Sequence, residues 1–579
     1  MKHRPSTPRL LPLFLTSFLT SLLTSLLTLL LTLLLTVFLT VFSLPAVVQA
    51  QAPRELTDSV IREALDLYNR PGTIRLNGDS RVSAASEIIG DLALLDGLLE
   101  IAGRVRGNVL VLHGDLRLLA GAQIEGFVVV IGGTVTGPDS ARVGQGIRVY
   151  RGGFAYQLQD GLLVRVERRA PSELSAGREF DFGRTDLVVS ARRGYNRVEG
   201  LPILAGPRIT LGRSNPSVVE ALGIYRTGTG ARLAAHDLGY ALRAEQYLGG
   251  RHSLRVGMRV FSEIAPIELG GLSDRENSLA SFILHRDYRD HFERQGWTVY
   301  LGFDPATLPW SAALIYSDER NASVTAREPF SVLDSDHGWR MQPLVAEGYL
   351  RSLTAESSYD SRNSASDASH GWLLRASLER GLGGSLRVYL DSATLNAPRR
   401  FWNSTLDLRR YARTGRSSQL AVRALATGSL NGAALPAQRQ HVLGGEGSLP
   451  GFAMNRFDCA AQNQAVVRAG IRYQPYYGCD RAALVQLEYQ TDFKFLRGLR
   501  NTAVDQLGLL QQVRFALFFD AGRAWNEAEA RDGRGGGNDD FAADGGFGVR
   551  LGPVGLYWAV PLSGRGQPMN FFLRLGPRI

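Results

Sequence analysis

From about Phe180 to the last residue, Ile579, apolar side chains recur at every second position. Leu254, Val256, Met258 and Val260 alternate with Arg255, Gly257 and Arg259. Trp372, Leu374, Ala376 and Leu378 alternate with Arg375, Ser377 and Glu379. Successive side chains of a strand point to opposite faces, so each such strand has one apolar face and one polar or small face. A soluble sandwich satisfies that pattern, and so does a barrel whose apolar face meets lipid. The two ends of the chain decide between them.

At the first end, Lys2, Arg4 and Arg9 precede a Leu/Thr-rich run from Leu10 to Leu44, and Val48-Gln49-Ala50 supplies a small-residue cleavage site. That is the order of an export signal. Residues 1–50 are expected to be a signal peptide, with the mature chain starting near Gln51. The run is long, and threonine recurs every fourth residue from Thr16 to Thr40, so an uncleaved membrane anchor is the competing reading. Elsewhere no stretch approaches the ~20 consecutive apolar residues that a spanning helix needs, so further insertion must use strands. At the other end, Phe571, Leu573, Leu575, Pro577 and Ile579 share one face against Asn570, Phe572, Arg574, Gly576 and Arg578. This has the form of the terminal strand of an outer-membrane barrel. The expected fold is all-β, with a transmembrane antiparallel β-barrel of about 16 strands over residues 178–579.

Charge and cysteines refine the class. The formal charge of +10 falls to about +7 without residues 1–50, and Lys2 and Lys494 are the only lysines in an arginine-dominated balance. A GC-rich genome explains the arginines; guanidinium groups lining a lumen or holding lipid phosphates are the functional alternative. No basic stripe interleaved with exposed aromatics is present, so nucleic acid is not an expected partner. Cys459 and Cys479 fall within one long insert of an exported chain, which reads as a disulfide more readily than as a metal site.

Residues 51–72 form a short helical segment, with Leu56, Val60, Ile61, Ala64, Leu65 and Tyr68 at helical spacing before Pro71-Gly72. From Thr73 the texture changes to short apolar runs cut by glycine. Val105-Arg106-Gly107-Asn108, Ile124-Glu125-Gly126-Phe127 and Val143-Gly144 recur about 19 residues apart, as stacked coils of a β-solenoid do. The stretch 73–152 resembles the bactofilin family of polymer-forming proteins. The expected placement is a small periplasmic solenoid serving as cap or scaffold, followed by a linker over 153–177.

Within the barrel region, Leu443-Gly444-Gly445-Glu446-Gly447-Ser448-Leu449-Pro450-Gly451-Phe452 resembles the sixth extracellular loop of the bacterial surface antigen superfamily. Pro450 stands where that family has arginine. Phe518, Asp520 and Gly522 resemble its Phe-x-Asp-x-Gly strand, and Tyr359-Asp360-Ser361-Arg362-Asn363 resembles a further strand end. The resemblance implies that loop six folds into the lumen, with Gly444, Gly445, Ser448, Pro450, Gly451 and Phe452 as its motif. It also implies that the missing arginine leaves Asp520 needing another cation. Either Asp520 is met by Arg423, Arg523 or Arg550, or loop six sits differently. The plain alternative is a glycine-rich turn without special function.

Other candidate chemistry is thin. His285 and His291 flank a mixed-charge run that fits a wet lumen better than a metal site, and Asp532–Asp540 resembles a calcium loop only loosely. There is no Gly-x-Ser-x-Gly nucleophile elbow and no P-loop. No enzymatic activity, catalytic residue, metal or cofactor is expected. The resemblance implies a barrel in the cell outer membrane that translocates or inserts polypeptide or lipid. Its expected partners are outer-membrane lipid and lipopolysaccharide, the barrel-assembly machinery, and polypeptide clients. The alternative is a structural or passive-pore barrel with a periplasmic scaffold, a reading favoured by Pro450 and by the absence of the POTRA pattern usual before such barrels.

Overall fold

The computed structural model describes residues 58–579, apart from 166–172, 460–465, 493–512, 527–540 and shorter turn segments. The expected signal peptide and the Asp532–Asp540 stretch lie outside the described residues. No helix among the described residues is long and apolar enough to cross a membrane.

The first helix, α1, runs over Asp58–Asn69. After it, the runs Leu92–Ile101, Val109–Leu118, Val128–Ile131 and Ile147–Tyr150 stack as parallel strands, and a second parallel ladder joins Glu87–Ile88, Arg104–Val105, Gln123–Ile124 and Arg142–Val143. Val109 pairs with Val128, and Val128 with Ile147, a 19-residue step that matches the repeat in the sequence; the preceding coil, Leu92 to Val109, is two residues shorter. The apolar runs are continuous rather than alternating because the broad sheet is covered on both faces. Leu92, Leu94, Val109 and Val111 point into the coil, while Ala93, Leu95, Leu110 and Leu112 pack against Ile61, Ala64 and Leu67 of α1. Glycine is required where coils meet: a Cβ on Gly133 would stand 1.6 Å from the Gly114 carbonyl oxygen.

The expected linker is not simply a linker. Tyr156–Gln159 and Leu162–Arg165 form an antiparallel hairpin that α1 holds through Asn69, whose side chain exchanges two hydrogen bonds with the Leu163 backbone at 2.8 and 2.7 Å. Leu163 completes the apolar layer around α1.

Among the described residues the rest is dominated by one antiparallel sheet of 18 strands from Glu173–Phe180 to Asn570–Leu575, counting the three-residue strand Thr394–Asn396. Without that short strand the number is 17, in keeping with the expected barrel of about 16. Among the described residues no ladder joins the first strand to the last. Burial alternates as the sequence predicts: Leu573 is 45% exposed and Arg574 4%. The solenoid touches the sheet at Asp115, which accepts from the Thr134 backbone at 2.9 Å and pairs with Arg413 at 3.0 Å. Arg413 ends the strand Trp402–Arg413, so the solenoid lies at the opposite end of the sheet from the long insert after Ser429.

The chain end departs from expectation. The last strand stops at Leu575; Gly576 then takes a φ of +129°, which favours glycine, and the following residues turn inward. Ile579 is therefore buried against Ala368, Tyr411 and Ala421, not outward beside Phe571 and Leu573.

Candidate functional site

The site is built on the inward faces of Arg481–Asp492, Val513–Trp525, Ala542–Leu551 and the last strand. Alternation along Val513–Trp525 buries Phe518, Asp520 and Gly522 and exposes Leu517. Asp520 lies directly opposite Asp544 on the neighbouring strand. Like charges so placed repel. Two donors offset the repulsion, one on each carboxylate.

The donor on Asp520 is Arg578, delivered by the inward turn of the chain end. Its Nη1 lies 2.6 Å from Asp520 Oδ2, its Nε 2.8 Å from Glu488 Oε2, and its guanidinium 4.2 Å from the centroid of the Phe518 ring. All three charged groups are almost fully buried. A charge-assisted, multiply bonded guanidinium is the arrangement that can offset such desolvation. Phe518 in turn packs edge-on against Tyr557 and Phe572 of the last two strands.

The three expected cations go elsewhere. Arg423 pairs with Asp407 through Nε and Nη2 at 3.0 and 2.9 Å, and its Nη1 donates to Gln486. Arg550 donates to Gln490 at 3.1 Å, and Arg523 lies over the Trp525 ring. Taking the chain end as extended strand to its last residue hides Arg578; Gly576-Pro577, a strand-terminating pair, is the signal that could have found it.

The donor on Asp544 is loop six. The Gly451 N–H reaches Asp544 Oδ2 at 2.7 Å, and a Cβ at Gly451 would meet Asp544 Cβ at 2.6 Å. Pro450, which stands where the resemblance expects arginine, presents its carbonyl to Asn570 Nδ2 at 3.1 Å, and the Ser448 carbonyl accepts from Gln486 at 3.0 Å. The loop therefore lies along inward side chains of the fifth-from-last, third-from-last and last strands. Gly444 and Gly445 take positive φ, and Ser448 Oγ accepts the Gly444 N–H at 2.8 Å, closing a tight turn. Gly522 has a separate reason: a Cβ there would stand 3.0 Å from Leu443 Cδ1 at the root of the loop.

An apolar cluster anchors the rest of the insert. Leu443, Leu449, Phe452 and Phe457 pack with Ala482, Leu484, Ala524 and Ala542 of the wall, and the Cys459–Cys479 disulfide lies inside this cluster. Phe452 meets Phe457 edge-on at 4.9 Å. Val466–Arg468 and Ile471–Tyr473 form the hairpin between the cysteines. At the base of the insert, burial pushes the His441 imidazole down to about 4; its Nε2 lies 3.2 Å from Thr427 Oγ1.

The tip of loop six meets a second buried assembly. Tyr288 donates to Glu446 Oε1 at 2.8 Å, and Arg574 Nη1 to the Glu446 carbonyl at 3.3 Å. Burial raises the Glu446 carboxyl above its ordinary range despite these partners. Arg197, fully buried, sits between Asp287 and Asp290. His285 stacks on Trp339 and shares a hydrogen bond with Ser331, whereas His291 faces Asp287 at 3.8 Å. The two histidines thus have separate structural surroundings, and no group of metal-ligating residues is found among the described residues.

An Omp85 superfamily domain matches residues 213–570. Among solved structures, BamA from Haemophilus ducreyi lacking POTRA domains 1–3 is 16% identical with a TM-score of 0.41, covering 72% of this chain and 80% of that one. CdiB from Acinetobacter baumannii is 10% identical with a TM-score of 0.30, covering 73% and 66%, and CdiB from Escherichia coli is 12% identical with a TM-score of 0.32, covering 73% and 67%. No curated protein matches the chain. The domain match spans more than half of the sequence and contains the loop, the Phe518–Asp520–Gly522 strand and the start of the last strand: the chain belongs to the Omp85 superfamily of outer-membrane β-barrels.

Proposed function

We propose that this barrel translocates or inserts polypeptide or lipid at the outer membrane through its lumen and the seam between its first and last strands. It is not an enzyme in this reading, and the solenoid lies in the periplasm. The observation that carries it is the construction of the last strand. That strand is six residues long, without a ladder to the first strand among the described residues, and its continuation is held inward by Arg578. A barrel serving only as a wall gains nothing from a short final strand whose outer edge has no ladder among the described residues, because closure is what removes exposed strand edges. The alternative of a passive pore fits less well with a lumen face covered by loop six, the chain end and the Tyr288–Glu446 contact.

Depletion of the protein followed by an inventory of outer-membrane proteins and lipids tests the proposal. Loss of a defined set of clients is the expected result. An unchanged inventory with altered permeability alone would favour the passive pore.

A further inference from the structure

The helix Asp274–Leu284, here α2, is built inside out. Glu276, Asn277, Ala280 and Ser281 form its buried side, whereas Leu279, Phe282, Ile283 and Leu284 are 45, 40, 37 and 49% exposed. A surface helix of a water-soluble domain has the reverse arrangement. The last strand shows the same inversion, with Phe571 and Leu573 exposed and Phe572 and Arg574 buried, and there the exposed face is the one a membrane barrel turns to lipid.

The helix is also placed against that strand. Glu276 Oε2 closes a capping box with Ser273, while Oε1 accepts from Arg574 Nε at 2.7 Å and from the Leu575 backbone N–H at 2.8 Å. The Leu575 amide, at the end of the strand, is thereby satisfied by a side chain. On its other side, Ser278 Oγ accepts the Tyr195 N–H at 3.0 Å, and Gly194, with φ +70°, leaves the room this needs: a Cβ there would stand 2.1 Å from Ser278 Oγ. Gly194 and Tyr195 follow the second strand of the sheet, Gly183–Ser190. The helix thus contacts structure from both ends of the sheet. Val332 and Leu333 extend its apolar face, their N–H groups donating to the Phe282 and Ile283 carbonyls at 2.8 and 2.9 Å.

We infer that α2 is a wedge at the barrel seam: its polar side fastens the last strand, and its apolar side continues the lipid-facing belt and contacts lipid acyl chains. This goes beyond the proposed transport role and does not depend on it.

Both native cysteines are in the disulfide, so a single introduced cysteine gives a unique label site. Full-length variants Phe282→Cys and Leu279→Cys, labelled with a nitrobenzoxadiazole dye and reconstituted in phosphatidylcholine vesicles, would be compared with Leu573→Cys on the belt and Ile89→Cys on the solenoid. Folding is checked by the heat-dependent gel shift, and having two helix positions guards against one variant failing to fold. Doxyl-labelled lipid should quench the helix labels as it quenches the Leu573 label, with aqueous iodide having little effect. Iodide quenching like that at Ile89, without doxyl quenching, would overturn the wedge. So would protection from both quenchers that depends on protein density, which would mean that a second copy covers the face.

Discussion

Arg578 and Asp520 are 58 positions apart in sequence and 2.6 Å apart in the barrel interior, which ties the chain end to the strand bearing the Phe-x-Asp-x-Gly motif. The contact serves where loop six would have supplied arginine, and it leaves the loop free to seat on Asp544 through a backbone N–H. Chain end and loop six are therefore two separate fastenings on adjacent strands.

Removing Arg578 strands Asp520 and Glu488 together. Arg578→Ala should destabilise the folded barrel by about 3–5 kcal/mol, the range for breaking a buried ion pair by losing one partner. The check is the temperature at which the compact gel-shifted form converts to the unfolded one. Arg578→Lys should fall between, since one ammonium cannot reproduce the planar fork that meets two carboxylates.

Pro450→Arg should change little in the native chain, because Asp520 is already occupied. In an Arg578→Ala background the same substitution should raise the conversion temperature, if the loop can carry a guanidinium across to Asp520. No rise in that background would show that the positions are not interchangeable.

Gly451→Ala should unseat loop six. Its new methyl would overlap Asp544 Cβ, a clash of the kind that costs about 1–3 kcal/mol, while the disulfide still anchors the base of the insert. Limited proteolysis in loop six should accelerate in this variant. Reducing Cys459–Cys479 should act on the other part of the insert; a loop of that length is worth roughly 3 kcal/mol in the chain-entropy model.

Acid should weaken the same insert through His441. Its folded value of about 4 lies below the ordinary imidazole value of 6.5, so the unfolded chain binds the extra proton first as pH falls. This contribution is level above about pH 6.5, declines between there and about pH 4, and is flat below. His441→Gln should remove that portion of the acid slope in a pH series of conversion temperatures; an unchanged slope would assign it to other groups.

Much of this was legible in the chain. Period-two alternation gives the barrel strands because lipid on one face and polar contacts on the other impose it directly, and the 19-residue step gives the solenoid because stacked coils must repeat. The partner of Asp520 was less accessible: it depends on the backbone torsion at Gly576, which ends the strand and turns Arg578 into the interior instead of letting it continue along the wall. The helix Asp274–Leu284 was also hidden. Ser273 and Glu276 write its capping box plainly, but its buried side is polar, so no apolar stripe facing a core marks it as a helix.

The most direct measurement is a double-mutant cycle between Arg578 and Asp520, read as urea unfolding of the detergent-solubilised barrel. Because Arg578→Ala leaves two buried acids, Asp520 and Glu488, without their guanidinium, adding Asp520→Ala should recover part of the loss, so that the double variant is more stable than Arg578→Ala alone. If the two losses simply add, the side chains do not act on one another and the proposed fastening of the chain end is wrong.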